Sequence, residues 1–339
     1  MAIALTAALV AALVAPSTGL AAPDRTSQPS SLYPLPAHEV HPSCTASQRA
    51  RETAGGGRPE QPKADPRVYG QDLPDPVEVE DHHADLSVLD GKGMWWTVWP
   101  GSKVDVETSV SQAKAAGLRQ IWVRVGGSTS GWYGGPLLER LLPIAHDRGL
   151  AVVAWDTPKL SDPVADAARA RHVIEGEFGG EHIDAFSPDI ETGGEGTYLS
   201  AQRIKVYLSR VRSAAGNMPV VATVMNPTEY QRSYYPYAAE APYVDAFAPM
   251  VYWSCREPGS ATAEAIEALS DYRPVHVIGQ AYNMASEGGR RGMPSGAEVW
   301  RFLDVAKRHG AIGASLYNAA SASGPDWSAL KGYPWHSDD

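Results

Sequence analysis

The segment DAFSPDIETGG, residues 184 to 194, places Ser187, Asp189 and Glu191 at every second position after the apolar Ile183. Successive side chains of a β-strand point to opposite faces, so these three share one face. Two residues along a strand separate Cα atoms by roughly 6.6 Å, at about 3.3 Å per residue. Like charges at that range raise one carboxyl pKa and leave the other low. The pair could then hold one proton donor beside one ionised carboxylate, the division of labour that glycoside cleavage uses. The plainer alternative is a pair of carboxylates satisfied by arginines or helix N-termini.

A strand must present these residues, and the chain supplies a series of candidates. From Gly91 onward short apolar runs alternate with amphipathic stretches: GMWWTVW (93–99), QIWVRVGG (120–127), AVVAWDTP (151–158), IDAFSPDIE (183–191), PVVATVMNP (219–227), VDAFAPMVYW (244–253), PVHVIGQAYN (274–283) and AIGASLYNA (311–319). Stretches such as LLERLLPIAHDRGL and SGAEVWRFLDVAKRHG lie between them, several ending in a glycine. Eight strand-helix units over about 240 residues predict an α/β fold, a (β/α)8 TIM barrel spanning 89–339. A doubly wound sheet is the alternative, and no Gly-x-Gly-x-x-Gly follows the first strand.

In such a barrel the reactive face lies at the C-terminal ends of the strands. The residues finishing these runs are aromatic or polar: Trp95, Trp96 and Trp99; Arg124; Asp156; Asp189 and Glu191; Asn226; Tyr252 and Trp253; Gln280, Tyr282 and Asn283; Tyr317 and Asn318. Aromatic faces stack on sugar rings while amide, carboxylate and guanidinium groups bind hydroxyls. Each has a structural reading too. A single tryptophan often simply packs, Arg124 can serve an ion pair with Asp156, Asp189 or Glu191, and Asn226 and Asn318 can bond loop backbone.

The rest of the chain bounds the function. It has 339 residues, 43% hydrophobic and 20% charged, with a formal charge of −10, which argues against a nucleic-acid partner. Residues 1–22, MAIALTAALVAALVAPSTGLAA, read as a secretory signal peptide or, if uncleaved, a membrane anchor. Residues 23–88, rich in Pro, Gly and Ser, read as a low-complexity arm or linker. The adjacent His82 and His83 lie in a polar segment and read as solvated. Cys44 and Cys255 are the only cysteines. They form no metal motif, and in an oxidising compartment they could pair or remain thiols. Neither ligand spacing nor a phosphate loop implies a metal or cofactor.

DAFSPDIE resembles the Asp-x-x-Asp-x-Asp-x-Glu signature closing the fourth strand of chitinase-like family 18 glycoside hydrolases, with Asp184, Asp189 and Glu191 in three of its four places and Ser187 in the other. MVYW, residues 250–253, is similar to that family's Met-x-Tyr-Asp, with Trp253 replacing the Asp. Lysozyme-like family 25 muramidases also carry Asp-x-Glu at this strand end, but the first strand here lacks the Asp they use. The family 18 resemblance implies that Glu191 protonates the glycosidic oxygen, that Asp189 orients the substrate's acetamido group, and that Tyr252 hydrogen-bonds it.

The sequence therefore predicts an exported, monomeric glycoside hydrolase that needs no cofactor. Glu191 as general acid, Asp189 as orienting group or nucleophile, and Tyr252 would be catalytic. Trp95, Trp96, Arg124, Asp156, Asn226, Trp253, Gln280, Tyr282, Asn283 and Tyr317 would bind the glycan. A catalytically silent carbohydrate-binding barrel is the competing reading, and fold alone does not choose between the two.

Overall fold

A computed structural model describes residues 44–46, 48, 68 and 71–336. The predicted signal segment and most of the predicted arm lie outside them. Eight parallel strands form the sheet: β1 (Gly91–Trp96), β2 (Gln120–Gly127), β3 (Ala151–Thr157), β4 (Ala185–Pro188), β5 (Val221–Val224), β6 (Ala246–Val251), β7 (His276–Gln280) and β8 (Gly313–Tyr317). Their order is β4-β3-β2-β1-β8-β7-β6-β5. The ring closes between β4 and β5 through single bridges, Phe186 to Val220 and Asp189 to Thr223. A short Gly131–Trp132 return pairs antiparallel with β2. This is the (β/α)8 barrel that the eight apolar runs predict.

The helices are α1 (Val106–Ala115), α2 (Gly135–Asp147), α3 (Pro163–Ile174), α4 (Ala201–Ala215), α5 (Pro258–Leu269), α6 (Gly296–Arg308) and α7 (Gly324–Gly332). Side-chain oxygens of Asp105, Asp162, Ser200, Glu257 and Ser295 accept from first-turn amides and fix where α1, α3, α4, α5 and α6 begin. Between β5 and β6 two four-residue helices, Glu229–Arg232 and Tyr237–Glu240, replace a full one.

Strand alternation sorts the apolar residues into two cores. Met94, Ile121, Val123, Phe186, Phe247 and Leu316 face the helices, whereas Trp95, Trp122, Val153, Trp155, Ala185, Ala246 and Ile278 fill the lumen. The lumen is an aromatic column rather than layers of branched aliphatics. Trp122 stacks on Trp95 at 4.8 Å, and Trp95 lies 5.1 Å from Trp155 and 6.1 Å from Tyr317. Such wide rings need gaps opposite them. A Cβ on Gly93 would sit 2.8 Å from Gln120 Oε1 and 2.9 Å from Trp122 Nε1, so only glycine fits there.

The last residues of the segment read as an arm close the floor of the barrel. Leu86, Val88 and Leu89 pack against the lumen core, and the Leu89 carbonyl lies 3.0 Å from His276 Nδ1. Upstream, His82 Nε2 lies 3.0 Å from Asp245 Oδ1, and the Val77 amide donates to Ser209 of α4. At the opposite face Cys44 is joined to Cys255 by a disulfide, with Cα atoms 5.9 Å apart. Gln48 Nε2 nearby donates to the Gly289 carbonyl. Among the described residues no helix is long and apolar enough to cross a membrane, and no cluster of His, Cys, Asp and Glu could hold a metal ion.

Candidate active site

A cavity of about 490 Å³ opens at the C-terminal ends of β2, β3, β4 and β8. Trp155 and Tyr317, the top of the aromatic column, line it together with Trp99, Arg124, Lys159, Asp189 and Glu191. Asp189 continues β4 by one residue, its amide bonded to the Asp156 carbonyl and its neighbour Ile190 bonded to Thr223. The seam that closes the barrel therefore also fixes the carboxylate. Ser187 points the same way but is committed, donating to the Val221 carbonyl at 2.7 Å and lying 2.8 Å from the Thr223 hydroxyl.

Asp189 is 6% exposed and its buried Oδ1 has no hydrogen-bond partner. Burial, then the neighbouring Glu191, pushes its carboxyl well above the ordinary Asp range. Glu191 is half-buried, and burial raises its pKa as well, against the opposing pull of Lys159. The sequence reading expected mutual repulsion to split the pair. Desolvation instead leads for both, because the seam carries Asp189 below the solvent surface.

Arg124 faces these acids from β2. The β2–β3 register shifts between Arg124 and Gly126, a bulge of the kind that re-aims a side chain. Its guanidinium carbon lies 4.0 Å from the Trp99 ring centre and 5.4 Å from that of Trp155. Trp99, 54% exposed, roofs it from the rim. Lys159 is placed by its surroundings: its amide donates to Ser128 Oγ, Ser128 donates to Asp166, and Asp166 accepts from the amide of Leu160, which holds a left-handed φ of 56°.

Of the residues proposed from sequence, Arg124, Asp189, Glu191 and Tyr317 meet at the cavity. Tyr252 and Tyr282 adjoin it through Tyr317, each 5.8 Å from that ring and 5.4 Å from one another. The others are placed elsewhere. Trp95 is sealed in the lumen, donating to Ser315. Trp96 faces the helices, and Trp253 is fully buried against Phe302. Asp156 also points outward and pairs with Arg169 of α3 at 2.5 Å. Gln280 accepts from the Ser254 amide and donates to the Tyr282 carbonyl. Asn283 accepts from the amides of Ala285 and Gly292. Asn226 is half-buried outside the lining.

Alternation explains these misses and offers the signal that was overlooked. Trp95 and Trp96, like Tyr252 and Trp253, are adjacent, and only one of each pair can face the lumen. The same rule places Trp155 inside and Asp156 outside. Lys159 lies beyond its strand, where no periodicity reaches it.

No protein-family model matches the sequence, and no curated protein matches it significantly. Solved structures do. A chitinase from Chromobacterium violaceum superposes with a TM-score of 0.53 at 11% identity, over 71% of this chain and 98% of that one. A GH113 β-1,4-mannanase gives 0.53 at 10% identity over 72% and 97%. The Bacillus cereus spore cortex-lytic enzyme gives 0.52 at 11% identity over 71% and 73%. The fold is that of glycoside-hydrolase barrels. At such identities the likeness fixes the architecture, and the chemistry has to come from the site.

Proposed function

We propose that this protein cleaves a glycosidic bond in a polysaccharide or cell-wall glycan. The observation that carries this reading is the placement of Asp189 and Glu191 side by side at an open cavity lined with aromatic rings, on the reactive face of a barrel shared with glycoside hydrolases. Glu191 has the reach toward solvent and the raised pKa of a general acid, and it would protonate the leaving oxygen. Burial pushes the Asp189 carboxyl well above the ordinary Asp range, which weakens it as an anionic nucleophile. This favours an orienting role, with the substrate's own acetamido group as nucleophile, over direct attack. Tyr252 would hold that group from across the mouth. The disulfide suits export to an oxidising compartment.

One observation favours a silent glycan-binding barrel instead. Ser187 occupies the place of a carboxylate in the family 18 signature, and its hydroxyl is tied to β5, leaving Asp189 without a proton partner along the strand. Glu191→Gln separates the two readings. On a glycan that the native protein cleaves, it should lower turnover roughly 10²-fold to 10⁴-fold while glycan affinity persists. A substrate with an activated leaving group should partly restore the Glu191 variant and not Asp189→Asn. Binding without cleavage of any glycan, by native protein, would establish the silent barrel.

A further inference from the structure

The two cations of the cavity are not explained by cleavage of a neutral sugar. Among the described residues neither Arg124 nor Lys159 forms an ion pair with a carboxylate, although both line the cavity that holds Asp189 and Glu191. Arg169, Arg212 and Arg290 behave differently: each contacts an acid at 2.5 to 2.9 Å. Arg124 has only a 3.4 Å contact to the Thr157 hydroxyl, and its buried Nε has no partner. Trp99 and Trp155 bracket the guanidinium and hold its plane without neutralising it. Glu191 and Glu195 also line the cavity, yet neither comes within ion-pair distance of these two cations.

Resting on the glycan-cleaving reading, we infer that Arg124 and Lys159 form a subsite for the carboxylate of an acidic sugar, either a uronic acid or a lactyl-ether amino sugar. A guanidinium offers paired donors to a carboxylate, and an ammonium adds a point charge. The tryptophans that bracket Arg124 would stack the ring bearing the acid.

The test is calorimetric and needs no turnover. The full-length Glu191→Gln protein is titrated with soluble oligogalacturonate, with glycan strands carrying lactyl ethers, with the carboxyl-reduced form of each, and with neutral N-acetylglucosamine oligomers. At least one acidic ligand should bind roughly 10-fold to 100-fold more tightly than its reduced counterpart, and added salt should weaken it selectively. Which acidic ligand binds identifies the source of the carboxylate. Lys159→Met, at the half-buried rim, and Arg124→Met should each remove that preference, weakening the acidic ligand far more than the neutral oligomers, while Lys159→Arg retains it. Unchanged melting curves confirm folding, and Lys159→Met decides the matter if Arg124→Met does not fold. Equal binding of acidic and reduced ligands, or no binding of either, overturns the subsite. So does a Lys159→Met variant that shifts the pH profile of cleavage without altering discrimination, since the lysine would then serve only to balance the two acids. A native protein that prefers acidic glycans yet cleaves none would sink the hydrolase reading and leave this one standing.

Discussion

The two sides of the barrel mouth are built on different terms. On the β2–β4 side, Arg124, Lys159, Asp189 and Glu191 face a cavity with hydrogen-bonding capacity left over, down to the partnerless Oδ1 of Asp189. On the β6–β7 side, Tyr252 apart, comparable residues are already spent. Gln280 and Asn283 serve loop amides, Trp253 is core, and Cys255 is tied to Cys44. Residue type does not separate a candidate binding side from a bracing side. Whether each group's bonding capacity is filled from within the protein does, because a satisfied donor or acceptor has little to offer a ligand.

The comparison breaks most directly at Trp253 and Glu191. Trp253→Ala should cost about 3–5 kcal/mol of stability, the usual loss for truncating a sealed aromatic, with glycan affinity of the folded fraction unchanged. Glu191→Gln should do the reverse, abolishing most turnover with no loss of thermal stability, because it removes a half-buried carboxylate whose pKa is raised by desolvation. Chemical denaturation with binding on the same samples checks both. If Trp253→Ala selectively weakened glycan binding, the bracing side would be a subsite after all.

A smaller effect is expected at the disulfide. Replacing both Cys44 and Cys255 with serine releases a closure spanning 211 residues and should cost about 2–4 kcal/mol, read as a lower unfolding midpoint while the cavity residues keep their function.

His276, at the foot of the β7 side, sharpens the contrast through pH. Burial lowers its pKa to about 4, so the native state keeps it neutral while the unfolded chain protonates near its ordinary value. Its contribution is complete above pH about 6.5 and is lost as pH falls toward about 4, up to roughly 3 kcal/mol. Melting temperatures of His276→Gln should fall less between pH 7 and pH 4.5 than those of the native protein. Cleavage should follow the opposite side of the scale. It should decline as pH rises through the raised pKa of Glu191, which must hold its proton to act as acid.

The smallest change is at Trp99. Trp99→Ala removes a half-exposed ring, and stability should shift by less than about 0.5 kcal/mol. Loss of its stacking and of the cation–π contact should weaken glycan binding by roughly 3-fold to 10-fold. Titration calorimetry beside a melting curve reads both at once.

The sequence by itself determined the architecture, because it rests on local signals: eight apolar runs, the amphipathic stretches between them, and the glycines that follow several of those stretches. It also determined the pairing of Ser187, Asp189 and Glu191 on one face, since a period of two is a property of any strand. It left the two cysteines undecided, and tertiary structure joined them across 211 residues. Only tertiary structure decided which face of each strand looks inward, and so why Trp95, Trp96, Asp156 and Trp253 are not at the cavity while Trp155 is. It likewise decided which polar groups were already satisfied, a question that depends on partners such as Arg169 of α3 or the Ser254 amide. The raised pKa of both carboxyls followed first from burial at the β4–β5 seam. Depth is a sum over the whole surrounding fold, which no window along the chain contains.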